Sequence, residues 1–218
     1  MCANVPPLPH STTKYQASAC LAIGDPQVSD DARRGRIYVW PDGVELPGVT
    51  TIITRGLGLT YDSPEAAARG TAIHEACALL DGSGDGSGLD WSSVPEEWYG
   101  YLHSWEKAKK WIGLGPCEIE LPVRSNRYGY AGRLDRVSTL ILVDLKSGSP
   151  EPWHALQTAA YLEAWRETIG RPRKFCTRMS VYLRENGTPA VQEHEDSTDL
   201  RVFLALAQVY HWRVATGG

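Results

Sequence analysis

The sequence predicts an α/β fold in which α-helices flank a central mixed β-sheet. Three observations carry that prediction. The hydrophobic period switches along the chain between about 3.6 and 2 residues, in the order helix, helix, three strands, helix, two strands, helix. Two strand-to-strand connections are short enough to force antiparallel hairpins, whereas a whole helix separates the third strand from the fourth. Finally, 218 residues that are 42% hydrophobic are enough for one sizeable core.

Residues 1–35 are polar and carry Pro6, Pro7 and Pro9 without a sustained period, so they are expected to form an N-terminal arm preceding a single domain over 36–218. Segments 36–40 and 44–46 flank Asp42-Gly43, a pair that supplies the positive φ of a hairpin turn. Ser63-Pro64-Glu65 combines a capping hydroxyl, a first-turn proline and an acid at the positive helix end. A helix over 64–80 follows, with a close-packing stripe of small residues expected through Ala67, Gly70, Thr71, His74, Cys77 and Ala78. Residues 82–88 are a Gly/Ser loop by composition, and 95–111 a second helix. Strands are expected over 117–124, 128–138 and 140–146. The period then returns to helical over 151–169, where Trp153, Leu156, Gln157, Ala160, Tyr161 and Ala164 share a face. Strands over 175–184 and 189–195 flank Asn186-Gly187, and a helix over 197–214 closes the chain.

The formal charge of −4 gives no global positive field, so a polyanionic partner must be bound locally. The five cysteines are scattered without a CxxC pair, which points to reduced thiols rather than a zinc site. No stretch approaches the roughly 18 apolar residues of a membrane helix, and the first twenty residues lack a secretory pattern. A cytoplasmic protein with no membrane partner is expected.

Alternation along 140–146 places Asp144 and Lys146 on one face, and the tight turn at Ser138-Thr139 brings Asp135 near Asp144 on the neighbouring strand. Two carboxylates so close repel unless a cation bridges them, and hard oxygen ligands suit Mg²⁺ or Mn²⁺. The [DE]-x-K pattern is weak by itself, since 26 acids and six lysines yield roughly 0.7 matches by chance. Its company matters more: Glu120 precedes it on a strand, His74 lies on a helix face, and Gln157 and Tyr161 stand at i, i+4 on the following helix. Taken singly, each is ordinary as a surface acid, a core histidine or a helix residue.

Taken in order, Gly70-x-x-x-His74, Glu120, Gly129-Tyr-Ala-Gly-Arg-Leu-Asp135, Asp144-Leu-Lys146 and Gln157-x-x-x-Tyr161 resemble the RecB-type branch of the PD-(D/E)xK nuclease superfamily, including small phage-encoded, lambda-exonuclease-like members. Tyr38-Val-Trp-Pro-Asp-Gly43 and Leu46-Pro-Gly-Val-Thr-Thr51 are similar to the opening of phage-encoded members. The resemblance spans roughly residues 45–185. It implies a restriction-endonuclease-like core, a divalent metal and DNA phosphodiester cleavage. It further implies that His74, Asp135, Asp144 and the Leu145 carbonyl are metal ligands. Glu120 becomes a metal-proximal acid, Lys146 the residue that orients or activates water, and Gln157 and Tyr161 the support of the site and of the DNA strand. The iron–sulfur members have three clustered cysteines after the core, whereas only Cys176 follows here, so no cluster is expected.

The implied partner is DNA, with a recombination, annealing or helicase partner encoded separately, because no phosphate-loop motif is present. Arg124, Arg127, Arg133 and Arg136 flank the acidic hairpin, and Arg171, Arg173, Lys174, Arg178 and Arg184 cluster around a later strand. From these, Arg124, Arg127, Arg133, Arg136, Arg173, Lys174 and Arg178 are taken as candidate DNA contacts. A Mg²⁺-dependent exonuclease serving phage or bacterial recombination, repair or DNA processing is the leading expectation. Two alternatives are a structure-selective or nicking endonuclease on the same fold and a catalytically silent DNA-binding or assembly protein.

Overall fold

Two β-sheets organise the chain, whose computed structural model describes residues 24–60, 63–82, 88–169 and 176–217. The smaller sheet is antiparallel, with β1 (Gln27–Asp31), β2 (Gly35–Val39) and β3 (Glu45–Pro47) in that order. The expected hairpin is therefore present, and its turn is fastened by the Val44 N–H donating to Asp42 Oδ1 at 3.2 Å. Strand β1 lies inside the span read as an arm. It forms because Gln27–Asp31 pairs residue by residue with Gly35–Val39, a partner that polar composition alone does not reveal.

The larger sheet runs β4 (Glu118–Ser125), β5 (Tyr130–Val137), β6 (Ile141–Lys146), β7 (Thr177–Tyr182) and β8 (Ala190–His194). All neighbours are antiparallel except β6 and β7, which are parallel and joined through helix α4 (His154–Ile169). The central sheet is thus mixed and five-stranded, flanked by helices.

Helices cover both faces. One core gathers Ile52 and Ile53 of α1 (Val49–Leu57), Leu156, Ala160 and Trp165 of α4, and Phe203 and Ala207 of α5 (Asp199–Thr216) over Leu121, Tyr130, Leu134 and Leu142 of the sheet. The other packs Ile73, Cys77 and Leu80 of α2 (Pro64–Gly82) and Leu102 and Trp105 of α3 (Tyr99–Ile112) over Val143, Leu145 and Val181. Strand alternation decides this division: Leu142 serves one layer, Val143 and Leu145 the other.

Three expectations change. Helix α1 was not anticipated, because Val-Thr-Thr-Ile-Ile-Thr is β-branched and lowers helix propensity; burial of Val49, Thr51, Ile52 and Ile53 overrides it. The buried stripe of α2 is Ile73, Ala76, Cys77 and Leu80 rather than the small-residue row, which leaves Ala67 and Thr71 exposed. Burial selects the side chains with more apolar area to remove from water. Short 3₁₀ turns, Trp91–Ser93 and Glu96–Trp98, precede α3, so that helix begins after 95. The expectations for residues 1–23 and for the loop residues 83–87 lie outside the described residues.

One irregularity bears on the site. Pairing of β5 with β6 comprises Val137↔Leu142 and Arg136↔Val143, and stops before Asp135 and Asp144. At the same level on the other side of β5, Glu120 interrupts the β4 ladder with φ 49°, in the left-handed region. A non-glycine residue held there costs about 1–3 kcal/mol and persists where its surroundings fix it. The sheet therefore opens where its acids stand.

Candidate active site

Asp135 sits at this opening. Its Oδ2 accepts the Leu145 N–H at 2.6 Å, a side-chain bond standing where the β5–β6 ladder has ended. Its Oδ1 lies 3.4 Å from His74 Nδ1, so helix α2 brings the histidine to the acid. A ligand atom from each of His74, Glu120 and Asp135 falls within 4.8 Å of the others. Two carboxylates and an imidazole at that separation are a donor set that a divalent cation can share.

Asp144 and Lys146 share the opposite face of β6 from Leu145, as alternation requires. Lys146 Nζ is 2.6 Å from Asp144 Oδ2 and donates to Gln157 Oε1 at 3.0 Å. Gln157 Nε2 in turn donates to Asp144 Oδ1 at 3.3 Å and to Tyr161 OH at 3.1 Å. Gln157 thereby bonds both the buried Asp144 and the half-buried Lys146, and Tyr161, four residues on, bonds Gln157. Tyr161 can lie across β5 because residue 132 is glycine: a Cβ there would collide with the tyrosine ring.

Titration reflects this crowding. Burial, reinforced by the charge of Asp135, lifts Glu120 to about 7. Burial also lifts Asp144 to about 6, although Lys146 pulls it the other way. Asp135 behaves oppositely: burial would raise it, but His74, Lys146 and the Leu145 N–H outweigh burial and hold it below the ordinary carboxylate value. Burial depresses His74, but Asp135 and Glu120 together raise it above the ordinary imidazole value. Acids raised in this way favour a cation that would share their charge, so the donor chemistry suits a divalent ion.

Of the residues singled out from sequence, the fold brings His74, Glu120, Asp135, Asp144, Leu145, Lys146, Gln157 and Tyr161 together. The arginines divide. Arg127 is exposed, its guanidinium 5.0 Å above the Tyr128 ring, and the half-buried Arg133 donates to the Glu120 carbonyl at 2.8 Å. Three others turn inward, contrary to their candidacy as DNA contacts. Arg124 forms a fork on Asp42 (3.0 and 2.7 Å) over Trp40. Arg178 spends its donors on Ala155 O, Thr158 Oγ1, Asp196 O and Asp199 Oδ2. Arg136 is fully buried: Nε donates to Asp81 Oδ2 at 2.6 Å, and Nη1 to Glu120 Oε1 at 3.3 Å and the Asp135 carbonyl at 2.6 Å. Each is held there by carboxylates or carbonyls of the chain itself, although Arg124 Nε and Arg136 Nη2 are buried without a hydrogen-bond partner. Arg171, Arg173 and Lys174 lie outside the described residues.

Sequence reasoning missed the supporting pair Arg136 and Asp81. Asp81 also accepts from Trp105 Nε1 at 2.9 Å and meets Lys109. A signal existed, since Asp81 falls four residues after Cys77 and eight after Ile73 on the buried stripe of α2.

No family model matches this chain, and no curated protein does. Among solved structures it is similar to a protein of Eubacterium rectale provisionally assigned as an exonuclease (12% identity, 78% of this chain and 75% of that one, TM-score 0.48). It is also similar to the alkaline exonuclease LHK-Exo of Laribacter hongkongensis (12% identity, 77% of each chain, TM-score 0.43) and to LHK-Exo in complex with dAMP (14% identity, 77% of each chain, TM-score 0.37). At these identities and TM-scores, what the site can do rests on its own side chains. No helix among the described residues is long and apolar enough to cross a membrane.

Proposed function

We propose that this chain is a divalent-metal-dependent DNA nuclease that hydrolyses phosphodiester bonds on a restriction-endonuclease-like core, acting as an exonuclease. The observation that carries this is the junction of two groups at one opening of the sheet: the His74, Glu120 and Asp135 donor cluster, and the Asp144–Lys146 pair gripped by Gln157. A metal cluster alone would suit a structural ion. An adjoining half-buried lysine adds a positive charge that a binding-only site does not need.

In this reading Mg²⁺ or Mn²⁺ would be held by His74, Asp135, Asp144 and the Leu145 carbonyl, and Glu120 would contribute negative charge. When bound, the ion supplies charge neutralisation at the scissile phosphate and a more acidic water. Asp135 fixes the β6 backbone through the Leu145 N–H and so orients Asp144 and Lys146. The Lys146 ammonium faces the charge that develops on the phosphate in the in-line transition state. Gln157 keeps Lys146 and Asp144 in register, and Tyr161 anchors Gln157. Arg127 and Arg133, together with Arg173 and Lys174, are proposed to contact the DNA backbone outside the cleavage point. A helicase, annealing or other recombination protein would be a separate chain.

The test is a gel of end-labelled linear and covalently closed circular DNA with Mg²⁺, Mn²⁺ or EDTA. Shortening of the linear substrate with either ion, an intact circle and no reaction in EDTA are expected. Cutting of the circle would replace the exonuclease by an endonuclease, and activity that persists in EDTA would refute metal dependence.

A further inference from the structure

Beyond Gln157, a residue at the entry to α4 also reaches the Lys146 ammonium. Trp153 lies immediately before the helix, and its carbonyl accepts the Gln157 N–H at 3.1 Å, so the two are neighbours one turn apart. Lys146 Nζ sits over the Trp153 ring, 5.7 Å from its centroid, while Gln157 Oε1 accepts from the same ammonium at 3.0 Å. The ring is itself fixed. His154 packs edge-on against it at 4.2 Å between centroids, and His154 Nδ1 is bound by the Glu151 N–H at 3.2 Å and the Tyr182 hydroxyl at 3.0 Å. Tyr182 is the β7 residue paired with Lys146, which closes the bracket around the loop leaving β6.

We propose that Trp153 is a positioning residue for Lys146, its indole face and the Gln157 amide together holding the ammonium in one orientation. The sequence pattern extends accordingly from Gln-x-x-x-Tyr to Trp153-x-x-x-Gln157-x-x-x-Tyr161, the residue that leads into α4 followed by two residues one turn apart on it. A flexible lysine has many rotamers, and the quadrupole of an aromatic face attracts a cation without taking one of its N–H donors. Lys146 therefore keeps a proton free for the phosphate. This role rests on the proposed nuclease activity, whereas the contact behind it does not.

Two readouts separate the contact from the activity. In full-length protein carrying ¹³C-labelled lysine, the Lys146 ε-methylene signal, assigned from Lys146→Arg, should lie upfield through the ring current of Trp153. It should move downfield in Trp153→Leu, which retains apolar bulk but no π-face. Lys109, 5.7 Å over Trp105, is the internal control and should stay in place. In kinetics, Trp153→Leu should lower kcat roughly three- to thirtyfold with KM for DNA little changed, and Trp153→Phe should recover most of it. An unmoved Lys146 signal overturns the proposal whatever the activity. A moved signal with unchanged kcat, or a loss confined to KM, overturns the positioning role, the latter because it marks direct contact with DNA. Inactive wild-type protein would instead remove the nuclease reading and leave the NMR comparison to decide the contact.

Discussion

Asp135 binds the backbone of Leu145, its Oδ2 accepting the amide proton at 2.6 Å while its Oδ1 faces His74 at 3.4 Å. One carboxylate thus joins helix α2 to the strand that carries Asp144 and Lys146. Both sides of the site depend on the short interval in which β5 and β6 no longer pair.

Asp144 and Lys146 form an ion pair whose strand is packed from its other face by Val143 and Leu145, so replacing either should spare the fold. Asp144→Asn and Lys146→Met are each expected to lower turnover by roughly 10²–10³-fold or more while circular dichroism is unchanged. Turnover within a factor of two of the parent, in a folded variant, would place the chemistry elsewhere.

Gly132→Ala puts a Cβ into the Tyr161 ring. An overpacked contact of this kind costs about 1–3 kcal/mol, and the displaced ring should pull Gln157 off Lys146. Urea denaturation should show the loss, and Tyr161→Leu in the same chain should restore part of it by vacating the space. A Gly132→Ala protein as stable as the parent would mean that the ring does not lie across β5.

Much of this was legible because strand alternation is local. Asp144 and Lys146 share a face by period alone, and a two-residue turn suffices to bring Asp135 beside them. What was not legible depends on partners far along the chain. Arg136 looks like a surface cation until Asp81, 55 residues earlier, is seen to receive it. Helix α1 is β-branched and becomes helical only against α4 and α5. The left-handed backbone at Glu120 has no glycine to announce it, and its place in a strand hides it further.

The two classes of arginine make opposite predictions. Removing buried Arg136 leaves Asp81 and Glu120 without their shared cation, so Arg136→Met should destabilise the protein by about 3–5 kcal/mol. Exposed Arg127→Ala should leave stability alone and reduce the slope of log affinity for DNA against log salt by about one. Thermal melts and salt titrations of both variants distinguish them, and an undisturbed melt for Arg136→Met would contradict its internal role.

His154 is buried, and its Nδ1 accepts hydrogen bonds, so burial and the charge of Lys146 push its pKa down from 6.5 to about 3. Between those values the unfolded chain binds a proton that the folded chain refuses. Stability should therefore fall as pH drops below about 6.5, and stop falling on this account near 3. In His154→Asn, whose side-chain oxygen can still accept the Glu151 N–H, that loss should be absent. The melting-temperature gap between parent and variant should narrow from pH 7 to pH 4; a gap independent of pH would contradict the neutral, buried imidazole.

The central claim is that DNA lies over the acids at the sheet opening, and fluorescence anisotropy with labelled DNA tests it most directly. Ca²⁺ takes oxygen ligands with looser coordination than Mg²⁺, so it should neutralise Glu120, Asp135 and Asp144 and admit DNA without supporting cleavage. In EDTA the same acids face phosphate offset only by His74, Lys146 and Arg136, and affinity should fall by about tenfold. Asp135→Asn should recover part of that loss in EDTA by removing one negative charge. Affinity that is the same for parent and variant, in Ca²⁺ and in EDTA at one salt concentration, would place the DNA away from these residues and contradict the assignment of the site.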